Sequence, residues 1–239
     1  MAFMVDDRSV AASVGGTRRW PPGTVLDALD DTDRAALVGL GTERTFPPGE
    51  ALIIEGSQDD TTFVLLDGIG KVLANTVDGR QVLLSIRIGG DLVGEFAALD
   101  GKPRSASVVA ATVVTARSVD RRTFLRYLDE HPRGSAAIRG AIVAELRRAT
   151  MHRASVNGAP TVVRVALVLS QMMAAYGRPD RDGVHIEIPL SQPELASLIN
   201  VSEPSLHRAL SGLRARDVIR TGYRRLVVRD PAALRDIIG

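Results

Sequence analysis

The 239-residue chain contains no cysteine. That absence excludes disulfides, thiolate zinc sites and Cys-ligated iron–sulfur clusters. Lysine is nearly absent too: only Lys71 and Lys102 accompany 28 arginines, a bias that fits genome base composition better than a selected arginine surface. No apolar run approaches the roughly 18 residues of a membrane span. The first residues include Asp6, Asp7 and Arg8, which leave no room for a signal-peptide core. A cytoplasmic location with no membrane partner is therefore expected. Four histidines, at 131, 152, 185 and 207, form no paired pattern of axial or metal ligands, so neither haem nor a metal ion is expected. Gly-x-Ser-x-Gly, His-Glu-x-x-His and Gly-x-x-x-x-Gly-Lys are all missing, and the chain is not expected to be an enzyme.

What the chain does hold is concentrated in Val93 to Val108, where a glycine-introduced acid is followed nine positions later by an arginine. A strand ending at Gly94 and running into a short helix from Glu95 to Leu99 leaves backbone N–H groups without intrahelical partners. Arg104 adds a planar, permanently charged fork for two phosphate oxygens, and the Ser105 hydroxyl adds another donor. Glu95 repels phosphate but accepts strongly from a sugar hydroxyl. Together they suit a ligand with a free 2′-OH beside a phosphate. The order of residues resembles the phosphate-binding cassette of cyclic-nucleotide-binding domains, Gly-Glu-apolar-Ala followed by Pro-Arg-small-Ala. Gly94, Glu95, Phe96, Ala97, Pro103, Arg104, Ser105 and Ala106 fill every position. The expected effector is a cyclic nucleotide, cAMP ahead of cGMP.

Around the cassette the pattern is one of short β-rich runs: Ala51–Ile54, Thr61–Leu66, Lys71–Val77, Gln81–Ile88, Ser107–Val109 and Val113–Val119. Asp67-Gly68 and Asp78-Gly79 supply hairpin-turn chemistry between them. An antiparallel β-roll is expected over residues 25–131, preceded by a mobile leader over 1–24 and including a leading helix near Asp30–Leu40. A helix over Asp120–Glu130 stops at His131-Pro132. The next helix places Ile138, Ile142, Leu146, Ala149, Arg153 and Val156 on one narrow seam, which suits pairing with its own copy. Residues 132–159 are read as this dimerisation helix plus a hinge at Asn157-Gly158-Ala159-Pro160.

Residues 160–239 form the basic end, with 11 basic and eight acidic side chains against 19 and 20 in residues 1–159. Ser191-Gln192-Pro193-Glu194 reads as a capping box. A turn at Asn200-Val201 leads to a second helix capped by Ser202, the spacing of a helix-turn-helix. Ser202, Glu203, Ser205, His207 and Arg208 stand near the start of that second helix, where bases of a major groove are read. Val218–Thr221 and Arg225–Val228 form a wing hairpin that brings Arg220, Arg224 and Arg225 to a phosphate backbone.

A cyclic-nucleotide domain, a long dimer helix and a winged helix-turn-helix in this order resemble the CRP/FNR superfamily of bacterial transcription regulators. The resemblance implies an α+β fold, a homodimer, double-stranded DNA and RNA polymerase as partners, and a nucleotide held by Glu95 and Arg104. Counting back from Arg164, it places Thr150 where the partner subunit's hydroxyl meets the adenine. The recognition helix departs from the best-known members, which carry Arg-Glu after the capping serine where this chain has Glu203-Pro204. A nucleotide-binding adaptor whose C-terminal domain binds protein, or a ligand-independent member, are the alternatives.

Overall fold

The computed structural model describes residues 20–156, 159–222 and 225–239, and excludes the side chains of 148 and 151–156. Most of the expected leader, the hinge pair Asn157-Gly158 and the wing residues Tyr223 and Arg224 lie outside the described residues, as do the side chains of Arg153 and Val156. Residues 20–24 are not a loose leader. Trp20 packs on the helical core, and Thr24 is buried with its hydroxyl donating to the Pro21 carbonyl at 2.8 Å.

Two short helices, α1 (Val25–Ala28) and α2 (Asp31–Val38), precede the roll. Asp30 caps α2 by accepting from the Asp33 amide at 2.8 Å. The roll comprises β1 (Thr42–Phe46), β2 (Ala51–Ile53), β3 (Thr62–Asp67), β4 (Ile69–Asn75), β5 (Gln81–Ile88), β6 (Leu92–Val93), β7 (Ser107–Ala110) and β8 (Val114–Val119), with α3 (Glu95–Asp100) between β6 and β7. They form two four-stranded sheets, ordered β1-β8-β3-β6 and β2-β7-β4-β5, with every pairing antiparallel. Asp78-Gly79 does turn the β4–β5 hairpin, whose Asn75 and Gln81 are paired. Asp67-Gly68 does not close a hairpin. β3 and β4 belong to different sheets, so this dipeptide carries the chain from one to the other. Gly68 has a φ of 88°, and a Cβ there would lie 2.1 Å from the Val113 carbonyl oxygen. Glycine is needed for this close crossing rather than for a two-residue loop.

The interior of the roll is apolar, built from alternate residues of both sheets, with Phe46 and Phe63 in edge contact at 5.7 Å. A second core lies under the helices. Leu26, Leu37, Phe124, Tyr127 and Ile138 meet there, joining α1 and α2 to α4 (Arg121–Glu130) and α5 (Pro132–Val156). Tyr127 donates to the Asp33 carbonyl at 3.0 Å, and burial pushes its hydroxyl up to about 12.

The expected seam on α5 is divided by this packing. Ile138 is only 1% exposed and Ile142 packs on the same core, so both face the chain's own roll. Val143 and Leu146, 49% and 66% exposed, are the large apolar side chains that α5 presents outward among its described residues. α5 thus packs Ile138 and Ile142 against its own chain and leaves Val143 and Leu146 open.

Beyond the hinge come α6 (Thr161–Tyr176), β9 (Gly177–Asp180), β10 (Gly183–Ile186), α7 (Gln192–Ile199), α8 (Glu203–Ala215), β11 (Ile219–Gly222), β12 (Arg225–Val228) and α9 (Pro231–Asp236). Their core is continuous with one face of the β4–β5 hairpin, since Ile86, Ile69 and Ile88 pack into it. Polar links cross the same contact. Lys71 Nζ, on β4, reaches Glu194 Oε1 and donates to the Pro189 carbonyl, both at 2.7 Å, and the Leu83 amide donates to Ser197 Oγ at 2.9 Å. One of the two lysines in the chain thus ties the two folded units together.

Candidate functional site

The cassette is assembled where β6 ends. Gly94 adopts a left-handed conformation (φ 86°) as N-cap of α3, and Gly101 closes that helix with φ 68°. A Cβ on Gly94 would meet Arg104 Nη1 at 2.7 Å and the Thr61 carbonyl oxygen at 2.8 Å. Gly94 is therefore needed both for its backbone angle and for the approach of the arginine. Arg104 is 4% exposed. Its Nη1 donates to the Gly94 carbonyl at 2.8 Å, and its Nη2 donates to the Thr61 carbonyl at 2.5 Å and to Asp59 Oδ2 at 3.3 Å. Nε, also buried, has no hydrogen-bond partner. A buried guanidinium with an unpaired donor fits an anion, because a buried polar group left unmatched is costly. Burial pushes the Asp59 carboxyl up, but bonds from Thr61 and Arg104 outweigh it and hold it below the usual aspartate range.

Glu95 opens α3 with its side chain turned toward α5. Burial pushes its carboxyl above the usual glutamate range, partly opposed by its own backbone N–H and by Arg87. Around it lies a cavity of about 30 Å³, bordered by Arg87, Asp91, Ile138, Ala141, Ile142 and Glu145 among others. That is the space of a single water molecule, against roughly 300–1,000 Å³ for small-molecule clefts. Arg87 and Glu145 close the cavity through a forked ion pair with two contacts of 3.1 Å. Burial lowers the Arg87 pKa, and the carboxylates of Glu145, Asp91 and Glu95 more than restore it.

The structure brings Gly94, Glu95, Arg104 and the buried Ala97 together, while Phe96, at 45% exposure, and Ser105 face outward. Thr150 does not reach the cassette of its own chain. It is exposed, and its hydroxyl donates back to the Leu146 carbonyl at 2.9 Å. Arg87, Asp91 and Glu145 were not expected from the sequence. Arg87 and Glu145 are 58 residues apart on a strand and a helix, and neither lies in a local motif.

In the C-terminal unit the capping box of α7 is complete: the Ser191 hydroxyl accepts from the Glu194 amide, and Glu194 accepts from the Ser191 amide at 2.7 Å. Asn200 ends α7 in a left-handed conformation, and its carbonyl accepts from Arg164 Nη1 at 3.0 Å. Ser202 caps α8. Leu206, Leu210 and Leu213 bury one face of α8, which leaves Glu203, His207 and Arg208 exposed and Ser205 half-buried. Arg208 Nη2 donates to Ser205 Oγ at 3.3 Å. The wing is real, with β11 and β12 paired from Ile219–Val228 to Gly222–Arg225. Two of its arginines have internal partners: Arg225 donates to His185 Nδ1 at 2.6 Å, and Arg220 lies 3.7 Å from Asp182. His185 Nε2 in turn pairs with Asp182 at 2.8 Å.

A β-roll with an anion-seeking arginine under its cassette, joined by a long helix to a winged helix-turn-helix, defines a ligand-sensing regulator by its architecture. Comparison with known proteins agrees. Residues 43–131 match the cyclic nucleotide-binding domain, and residues 163–237 match the Crp-like helix-turn-helix domain. The CRP-like cAMP-activated global transcriptional regulator of Mycobacterium tuberculosis is 28% identical over 180 residues, covering 75% of this chain and 80% of the relative. The cyclic AMP receptor protein of Thermus thermophilus is 24% identical over 186 residues, covering 78% and 83%. In fold, FixK2 from Bradyrhizobium japonicum superposes with a TM-score of 0.71 at 19% identity, covering 84% of this chain and 98% of that one. TTHB099 from Thermus thermophilus gives 0.69 at 24%, covering 82% and 96%. The chain belongs to the CRP/FNR superfamily of transcription regulators. That is a family of regulators rather than enzymes, and no helix among the described residues is long and apolar enough to cross a membrane.

Proposed function

We propose that the chain is a cytoplasmic, homodimeric transcription regulator that binds a cyclic nucleotide, cAMP in preference to cGMP, and reads a near-palindromic duplex through α8. The observation that carries this reading is the intact cassette, in which Arg104 is buried with an unpaired Nε beside Gly94 and Glu95. Arg104 would grip the cyclic phosphate together with Ser105, Glu95 would accept from the ribose 2′-OH, and Phe96 and Ala97 would complete the wall. Thr150 of one subunit would meet the base bound in the other. The preference for cAMP is supported by the Mycobacterium relative, a cAMP-activated regulator, and the Thermus relative, a cyclic AMP receptor protein.

DNA contact is assigned to Ser202, Glu203, Ser205, His207 and Arg208 at the start of α8, with Arg224 and Arg225 of the wing on the phosphates. Pro204 has no N–H, so the readout falls on Ser205, His207 and Arg208, with Arg208 on a guanine. Dimer pairing falls on the outward apolar residues Val143 and Leu146 of α5, and RNA polymerase is the further partner of the bound dimer. Calorimetry with cAMP and cGMP on the purified full chain is the direct test. Tighter binding of cAMP supports the reading, and heat from neither nucleotide refutes it.

A further inference from the structure

In this structure each arginine bordering the cassette already holds an anion. Arg104 contacts Asp59, and Arg87, at the end of β5, contacts Glu145 of α5 through two oxygens. The second pair differs in kind from the first. Arg87 and Glu145 are 18% and 26% exposed in their side chains, and they line the same cavity as Glu95. Three carboxylates, Asp91, Glu95 and Glu145, therefore face one guanidinium. A fourth anion cannot enter beside them without displacing one. Asp91 and Glu95 are poor candidates for displacement: Asp91 accepts from the Ile88 amide at 3.0 Å in the turn before β6, and Glu95 begins α3. Glu145 sits on a helix that packs across the cavity through Ile138, Ala141 and Ile142. The cavity, at about 30 Å³, is too small for a nucleotide as it stands, and α5 forms one of its walls.

We propose that Arg87 is a second nucleotide-binding arginine and that Glu145 is its internal stand-in, a carboxylate that must yield to the incoming cyclic phosphodiester. Glu145 then acts as a brake on effector binding. Its removal leaves Arg87 open to the ligand and takes a negative charge away from the phosphate's approach. Arg87 itself does two things for the ligand: it supplies positive charge, and it offsets part of the effect of burial on Glu95, whose carboxyl still lies above the usual glutamate range. The inference rests on the nucleotide reading of the cassette.

The two partners have opposite expected effects, and this separates the proposal from a simple clasp between α5 and the roll. Calorimetric titration of the full-length protein with cAMP and with cGMP is run on wild type, Glu145→Gln, Arg87→Gln and Arg87→Lys, with Arg104→Gln as the cassette control. Glu145→Gln should tighten binding on the order of fivefold, the size of one partly screened ion pair. Arg87→Gln should weaken it on the order of tenfold, and Arg87→Lys should recover part of the loss. Should Arg87→Gln fail to fold, the Lys variant and Glu145→Gln still decide the sign. Shifts of both positions in the same direction, or no shift at Glu145, overturn the inference. If wild type binds and Arg104→Gln does not, that failure belongs to this inference alone. If wild type binds neither nucleotide, the cassette reading is itself refuted and the inference falls with it.

Discussion

Replacing Arg104 by alanine tests both halves of that residue's role. The guanidinium is 4% exposed and joins the Gly94 carbonyl at the end of β6 to the Thr61 carbonyl and Asp59 carboxylate of the loop before β3. Charge-assisted bonds are worth about 1.5–3 kcal/mol each, and their loss leaves buried carbonyls unmatched. Arg104→Ala should therefore lower unfolding stability by about 3–5 kcal/mol, within a total of roughly 5–15 kcal/mol for a folded domain. The variant still folds, with a clearly lower urea midpoint. If Arg104 holds the cyclic phosphate as proposed, nucleotide affinity should also fall by at least about tenfold. Arg104→Lys keeps the charge without the fork and should recover part of the stability but little of the affinity. Urea titration and calorimetry on the same preparations provide both quantities. A variant as stable as wild type that binds nucleotide equally well would refute the reasoning at both points.

Three further outcomes are expected. Glu95→Gln should weaken cAMP by more than it weakens 2′-deoxy-cAMP, because the analogue lacks the hydroxyl that the carboxylate accepts from; equal losses would remove the sugar role. On α5, Leu146→Glu should shift the chain from dimer to monomer in light scattering with little loss of stability, whereas Ile138→Ala should cost about 2–5 kcal/mol in the roll's own core. A dimer unaffected by Leu146→Glu places the contact elsewhere. The Lys71–Glu194 link should fail in acid. Burial raises the Glu194 carboxyl, but Lys71 and Ser191 outweigh it and hold it below the ordinary range, so its stabilisation is full above the unfolded value near roughly 4.3 and is lost as pH falls through the depressed one. Protection of the Leu83 amide, bonded to Ser197, relative to its intrinsic exchange rate should fall in that window in wild type and already be low at neutral pH in Lys71→Ala; identical protection in both proteins would contradict it.

Features written in adjacent residues were legible in the sequence. The Ser191 to Glu194 capping box, the Asp78-Gly79 hairpin and the spacing from Gly94 to Arg104 each encode their geometry within a few positions, and each appears where the sequence puts it. Contacts between distant segments were not legible. Nothing near Asp67-Gly68 says that β3 and β4 part into different sheets, because that choice depends on β8 and β7 arriving later in the chain. The seam of α5 has one periodicity but two destinations, which only the position of α1 and α4 can assign. Glu145 looks like one solvated acid on a helix until β5 brings Arg87 beside it, and Lys71 meets Glu194 across 123 residues. The wing arginines were visible as a basic cluster, but their partners His185 and Asp182 come from a different hairpin.

Coupling between cassette and α8 is the centre of this account, and the affinity of the full-length protein for a duplex selected from a random library measures it most directly. Measured with and without saturating cAMP at one fixed salt concentration, binding should tighten by about 5–150-fold with nucleotide, on a near-palindromic site with half-site centres roughly 10 base pairs apart. Linkage requires the same factor when cAMP affinity is measured with and without that duplex. Equal DNA affinity in both conditions would contradict ligand control.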